Sequence, residues 1–314
     1  MYKNATIKVA PGATKCYLGE GPHWNPVKEE MLYVDIFGKA VLRYIPKTQE
    51  CYKVVVDAGP VSLVAPITGH PNKYLITIER DVQVMEWDGV SSTPTSLKKL
   101  ATVDDHCKTN RINDGKCDSR GRLWAGTMGY EPAPGKLDAK KGTLYSFDLD
   151  GTVKKHFDQI DIANGLAWTA DDKTLYYIDS FSYRVDAFDY DGESATLSNR
   201  RTAFDFKANG VEGIPDGMTI DADGNLWIAV FDGAKVIHVD PTAGKKLGQL
   251  DFPTKNMTSV AFGGPELGIL YATSAEHFLS KEELEAQSGA GALFEVRGLG
   301  VKGLGAGMEY KGVV

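Results

Sequence analysis

Asp223-Gly224-Asn225-Leu226-Trp227-Ile228-Ala229-Val230, a short break, and then Lys235-Val236-Ile237-His238-Val239-Asp240 together decide the fold. They read as turn, strand, break, strand: two runs rich in Val, Ile and aromatic residues, bounded by Asp, Gly and Asn. The leucine–aromatic pair inside the first run recurs. Leu32-Tyr33, Leu123-Trp124, Leu175-Tyr176, Leu226-Trp227 and Leu270-Tyr271 carry it, and Tyr74-Leu75 carries it reversed. Successive starts are 42, 49, 52, 51 and 44 residues apart, so six units of similar length fill the chain. A repeat of this length built from short strands is the pattern of a propeller blade, four strands beside a central channel. The expectation is an all-β, six-bladed β-propeller, with residues 1–314 forming one domain. A doubly wound α/β sheet needs an amphipathic helix after each strand. Only the stretch from Leu279 to Ala286 has that character, with Ser280 placed to cap Glu283, and it reads as an insertion in the last blade. Gly129 to Lys141, with Pro132 and Pro134, reads as a loop inside the third unit. Asp88-Gly89, Asp150-Gly151 and Asp191-Gly192 read as hairpin turns.

Composition narrows the function. The 314 residues carry 35 Lys+Arg against 42 Asp+Glu, a net charge of −7, and no basic run longer than the pairs Lys140-Lys141 and Arg200-Arg201. That balance argues against nucleic acid as a partner. No stretch approaches a membrane span, and Met1 to Thr6 lacks the apolar core of a signal peptide, so the expected place is the cytoplasm and the expected partner a small molecule. Cys16, Cys51, Cys107 and Cys117 are scattered without a C-x-x-C pair and read as reduced thiols. There is no G-x-S-x-G elbow, H-E-x-x-H or P-loop. Gly-His and Trp-Asp do not recur from unit to unit as repeat signatures, which argues against a WD-type interaction platform.

The segments ahead of the leucine–aromatic pairs share a second feature. Glu20-Gly21, Asp114-Gly115, Asn164-Gly165 and Asp216-Gly217 place a polar residue before a glycine, 12, 9, 11 and 10 residues ahead of the next leucine. Equivalent positions in a propeller converge on the axis. Two readings follow. Asp-Gly and Asn-Gly are turn formers; alternatively, carboxylates and an amide oxygen converging on a channel are hard ligands for a divalent cation. Glu20 favours the second reading, because glutamate is a poor turn residue. His23, directly after the Glu20 turn, is the one histidine placed to support such a set from behind.

Several separated motifs resemble one family. Glu20-Gly21-Pro22-His23-Trp24, Asn110-Arg111-Ile112-Asn113-Asp114-Gly115-Lys116, Gly126-Thr127-Met128, Ala163-Asn164-Gly165-Leu166-Ala167-Trp168, Pro215-Asp216-Gly217-Met218 and Ser259 to Pro265 are similar to the gluconolactonase family, which includes regucalcin (senescence marker protein) and luciferin-regenerating enzyme. The resemblance runs from about residue 16 to about residue 303. Trp87 to Ser91 with Pro94 to Ser96 looks nearest to the insect members. The resemblance implies a six-bladed propeller with one divalent cation in the channel, calcium first, with Zn²⁺, Mg²⁺ or Mn²⁺ as alternatives. It implies Glu20, Asn164 and Asp216 as metal ligands, and Arg111, Asn113 and Glu131 as substrate-binding residues. Repeat position points to Asp114 where the family pattern points to Asn113; the expectation follows the family and leaves Asp114 as a turn or supporting residue. The activity implied is hydrolysis of a sugar lactone, with the cation as Lewis acid and Asp216 as general base. Two alternatives stand beside it: a luciferin-regenerating enzyme acting on oxidised luciferin or its nitrile product, and a calcium-binding regulatory protein without turnover.

Overall fold

The structure is a computed structural model that describes residues 2–133 and 136–314. Its strands form six four-stranded antiparallel sheets, the blades of a β-propeller. The leucine–aromatic pairs all lie on the second strand of a blade: Glu30–Asp35, His70–Ile78, Leu123–Met128, Thr174–Asp179, Leu226–Phe231 and Ile269–Ser274. Each such strand is sandwiched between neighbouring blades and buried on both faces. That is why Met31-Leu32-Tyr33-Val34 and Leu226-Trp227-Ile228-Ala229-Val230, all wholly buried, read as continuous apolar runs instead of alternating ones. The core is divided among the blade interfaces: Ile178 and Val185 of blade four pack on Met218, Ile228 and Ile237 of blade five, and Val34 and Val41 of blade one pack on Val64 and Ile76 of blade two. The fourth strand of a blade faces solvent. Ser96–Thr102, with Lys98 and Lys99 exposed, shows the polarity this imposes.

Both ends of the chain meet the ring. Thr6–Val9 pairs antiparallel with Phe294–Arg297, in register Thr6 with Arg297 and Val9 with Phe294, and supplies the outermost strand of blade six. The sequence alone does not reveal this pairing. At the other end, residues 302–313 cross the lower face of the propeller. Leu304 N–H donates to the Ile220 carbonyl (3.2 Å), Tyr310 N–H to Pro66 (2.9 Å) and Lys311 N–H to Gly121 (3.0 Å). Gly307 lies so close to the His23 ring that a Cβ there would sit 2.6 Å from it. This tail therefore covers the lower end of the channel.

The expected insertion is the helix Lys281–Ala286, closed at its start by a capping box between Ser280 and Glu283. The loop from Gly129 to Lys141 joins the second and third strands of blade three; Pro134 lies outside the described residues. Among the described residues no helix is long and apolar enough to cross a membrane. All four cysteines carry free thiols.

Candidate functional site

The innermost strands are Gly19–Asn25, Val61–Ile67, Arg111–Cys117, Ala163–Trp168, Ile214–Ile220 and Met257–Gly263. Every one of them slips register against its second strand at the same level. In blade four, Ala163 pairs with Asp179 but Leu166 with Tyr177, so Asn164 and Gly165 face Ile178 alone. In blade five, Asp216 and Gly217 stand in the same way between Pro215 and Met218. A bulge of this kind re-aims a side chain out of the sheet, here into the channel.

The glycines in these bulges are not turn glycines. A Cβ on Gly217 would fall 2.0 Å from Ser259 Oγ, and one on Gly165 would fall 2.7 Å from the Met218 side chain and 2.9 Å from the Asp216 carbonyl. They let neighbouring innermost strands approach closely. The turn reading of Asn164-Gly165 and Asp216-Gly217 is thereby replaced. In blade three the bulged residue is Asn113, not Asp114, which pairs with Gly126. Alignment on glycine is one residue out there.

Glu20, Arg111, Asn113, Glu131, Asn164 and Asp216 all border one open cavity of about 720 Å³ at the upper end of the channel. Glu20, Asn164 and Asp216 are only 7%, 4% and 7% exposed, so their polar atoms need partners inside the protein or its ligand. Asn164 Nδ2 donates to Ser180 Oγ (2.9 Å), while Asn164 Oδ1 is buried without any hydrogen-bond donor. Burial, and then the charge of Asp114, push the Glu20 carboxyl up to about 8. Burial, and then the charge of Glu20, push Asp216 well above the usual carboxylate range. A divalent cation would answer all three observations, because it supplies the charge two crowded carboxylates lack and an electrophile for the orphaned amide oxygen. Among the described residues no three His, Cys, Asp or Glu side chains gather for a metal; the set here is two carboxylates and an amide. The residues present fit a hard oxygen-seeking ion.

On the cavity wall, Arg111 Nη1 donates to Asn113 Oδ1 (2.6 Å), and Asn113 Nδ2 donates to the Ala163 carbonyl (2.8 Å). Burial pulls the Arg111 guanidinium down to about 10, while the charges of Glu131, Glu20 and Asp216 resist. Its guanidinium carbon also lies 5.6 Å from the centre of the Phe37 ring.

Above these polar groups stands a feature the sequence reading missed. Phe37, Phe181, Tyr183, Phe231 and Phe278 form an aromatic collar around the cavity. Phe278 is held with φ at 65° and Tyr183 with φ at 54°, left-handed conformations that bulky residues rarely adopt outside constrained sites. His277 sits between Phe37 and Phe278, with ring centres 4.9 and 3.7 Å away. A signal was present: Phe37, Phe181 and Phe231 follow the leucines of units one, four and five by five, six and five residues. Those are the units that supply Glu20, Asn164 and Asp216. His23 and Asp114 lie deeper, around a separate cavity of about 30 Å³ that they share with Lys116.

Comparison with known proteins agrees with this architecture. Residues 18–276 match the family described as "SMP-30/Gluconolactonase/LRE-like region". The chain is 45% identical to regucalcin of Homo sapiens over 297 residues, 95% of this chain and 96% of that one. The structure of a luciferin-regenerating enzyme superposes with a TM-score of 0.92 at 40% identity, covering 98% of this chain and 99% of that one. The calcium-binding protein regucalcin of Agrobacterium tumefaciens superposes with a TM-score of 0.85 at 25% identity, covering 98% of both. The chain belongs to the SMP-30/gluconolactonase/LRE-like family.

Proposed function

We propose that the protein is a lactonase that opens a sugar lactone with the aid of one divalent cation, calcium first, held by Glu20, Asn164 and Asp216. The observation that carries this reading is the buried, donorless Oδ1 of Asn164 between two carboxylates at the floor of a substrate-sized cavity. A bound cation supplies Lewis acidity at a carbonyl oxygen. The chain's own residues do the rest. Arg111, held by Asn113 Oδ1, presents its remaining N–H groups to ring hydroxyls, and the Glu131 carboxylate accepts from others. The Asp216 carboxylate takes a proton from the attacking water as the new C–O bond forms, and returns it to the ring oxygen as the ring C–O bond breaks, so that oxygen leaves as the hydroxyl of the open acid.

Two observations bear on the rival readings. A regulatory protein without turnover needs no cavity of about 720 Å³ above its ion. The aromatic collar favours a substrate with an aromatic portion, which supports a second reading: turnover of a luciferin-derived aromatic compound, the chemistry for which the 40%-identical enzyme is named. The test is a paired assay on metal-loaded protein with an aldonolactone and a benzothiazole nitrile. Lactone turnover abolished by chelator, and lowered at least about 10³-fold by Asp216→Asn, is the expected result. Nitrile turnover with the lactone at its uncatalysed rate gives the second reading. Inactivity on both, with calcium still bound, gives the regulatory one.

A further inference from the structure

Lys116 lies on the innermost strand of blade three, below the candidate cation site and outside the large cavity. Its Nζ donates to two carbonyls on two other blades: Leu166 on blade four (3.0 Å) and Met218 on blade five (2.9 Å). These are the residues at which the two ligand-bearing bulges return to register, two positions after Asn164 and two after Asp216. The inner edge of a propeller sheet has no neighbouring strand, so its carbonyls face the channel unpaired. A bulge removes further ladder bonds at the same point. The two bulges also meet through the close approach of Gly165 to Asp216 and Met218 and through the packing of Ile178 on Met218; Lys116 adds to these the one tie that reaches both from a third blade.

We infer that Lys116 is a positioning residue for the cation site, its single ammonium group fixing the Asn164 bulge relative to the Asp216 bulge. The inference rests on the reading of Glu20, Asn164 and Asp216 as the cation-binding set. Lys116 suits this task for chemical reasons. An ammonium group has three rotatable donors, enough for two carbonyls on different strands. Burial pulls its ammonium group down from the ordinary lysine range, and the charge of Asp114 on the same strand opposes that. The cavity beneath, shared with His23 and Asp114, has room for about one water and none for substrate, so Lys116 acts through the bulges and not by touching a reactant. Neighbouring partners of metal ligands typically set affinity within a factor of about 10–100.

Titration calorimetry with calcium, paired with thermal melts in chelator, tests the inference on the full chain. Lys116→Met is expected to lower calcium affinity about 10- to 100-fold while the chelator-treated protein melts within a few degrees of wild type. Lys116→Arg, which can still donate to both carbonyls, should recover most of the affinity, and Lys116→Gln should fall between. A Met variant that binds calcium like wild type overturns the inference, whatever its melting temperature. If the Met variant does not fold, the Gln variant decides by the same criterion. A wild-type protein that binds no divalent cation overturns the underlying site reading as well, and that arm is read before any variant is made.

Discussion

Blades two, three and six and blades one, four and five use the same backbone device for opposite ends. In the first group the side chain at the bulge braces the ring. Ser62 Oγ donates to the Ile112 carbonyl (2.7 Å), Asn113 Nδ2 to Ala163 (2.8 Å) and Thr258 Oγ1 to Gly19 (2.6 Å), each reaching the next blade at the residue just ahead of its own polar position. In the second group the corresponding position holds Glu20, which pairs with Val34 at the edge of its bulge, and Asn164 and Asp216 within theirs. Among the described residues their side chains reach no main-chain carbonyl of a neighbouring blade, and Asn164 donates instead to side chains, Ser180 and Asp216. Donor side chains brace the ring, while acceptor oxygens are left for the cavity. Asn113 belongs to both groups, since its amide nitrogen braces blade four while its oxygen holds Arg111. A six-fold repeat thus divides into a structural half and a chemical half by side-chain chemistry alone.

The largest effect that would break this comparison is steric. Gly217→Ala puts a methyl group 2.0 Å from Ser259 Oγ. It should cost about 2–4 kcal/mol in a chemical denaturation experiment. Unchanged stability would mean that the bulge of blade five does not need its close approach to blade six.

Next in size is the cost of the chemical half. In chelator, folded Glu20 titrates at about 8 against an ordinary value of 4.5. The folded state then holds a proton that the unfolded state has lost, so stability is full below about pH 4.5 and falls as pH rises through about 8. Glu20→Gln removes that loss. Without cation it should lie close to wild type at pH 5 and clearly exceed it at pH 9. With calcium present the order should reverse. Thermal melts at the two pH values, with and without calcium, measure all four conditions, and an apo wild type as stable as Glu20→Gln at pH 9 would refute the strain assigned to this carboxylate.

The smallest effect sharpens the structural half. Ser62→Ala leaves the Ile112 carbonyl with only the longer bond from Arg111 Nη1 (3.3 Å) and should cost about 1 kcal/mol, with calcium affinity unchanged by calorimetry. Weakened calcium binding would show that the braces and the cation site are one network.

How far the sequence reveals all this depends on what each signal encodes. The leucine–aromatic pairs mark the second strands because burial on both faces demands apolar residues there, and burial leaves a periodic trace. Glu20, Asn164 and Asp216 are visible because each is followed by a glycine, which close approach of the next blade requires at Gly165 and Gly217 and a φ of 53° favours at Gly21. Ser62 escapes notice: Val61-Ser62-Leu63-Val64 has no such glycine and reads as plain strand. Asn113 is displaced by one in any alignment on Asp114-Gly115, because its bulge adds a single residue where those of blades one, four and five place two on the inner strand. The pairing of Thr6–Val9 with Phe294–Arg297 joins segments almost the whole chain apart, and no local pattern encodes a contact of that range. Most of the collar comes from loops, where only the spacing behind three leucines hints at it.

The closing strand also sets the order of events when the chain is made. Blade six lacks its outer strand until residue 297 can meet residue 6, so the ring cannot shut before the chain as far as residue 297 has been made. Until then the first strand is a bare edge, open to pairing with other chains. The cavity shares that schedule, because Glu20 sits on the first blade and Asn164 and Asp216 on the fourth and fifth. Functional competence therefore arrives in one late step at ring closure, and slow, non-local folding is built into the topology.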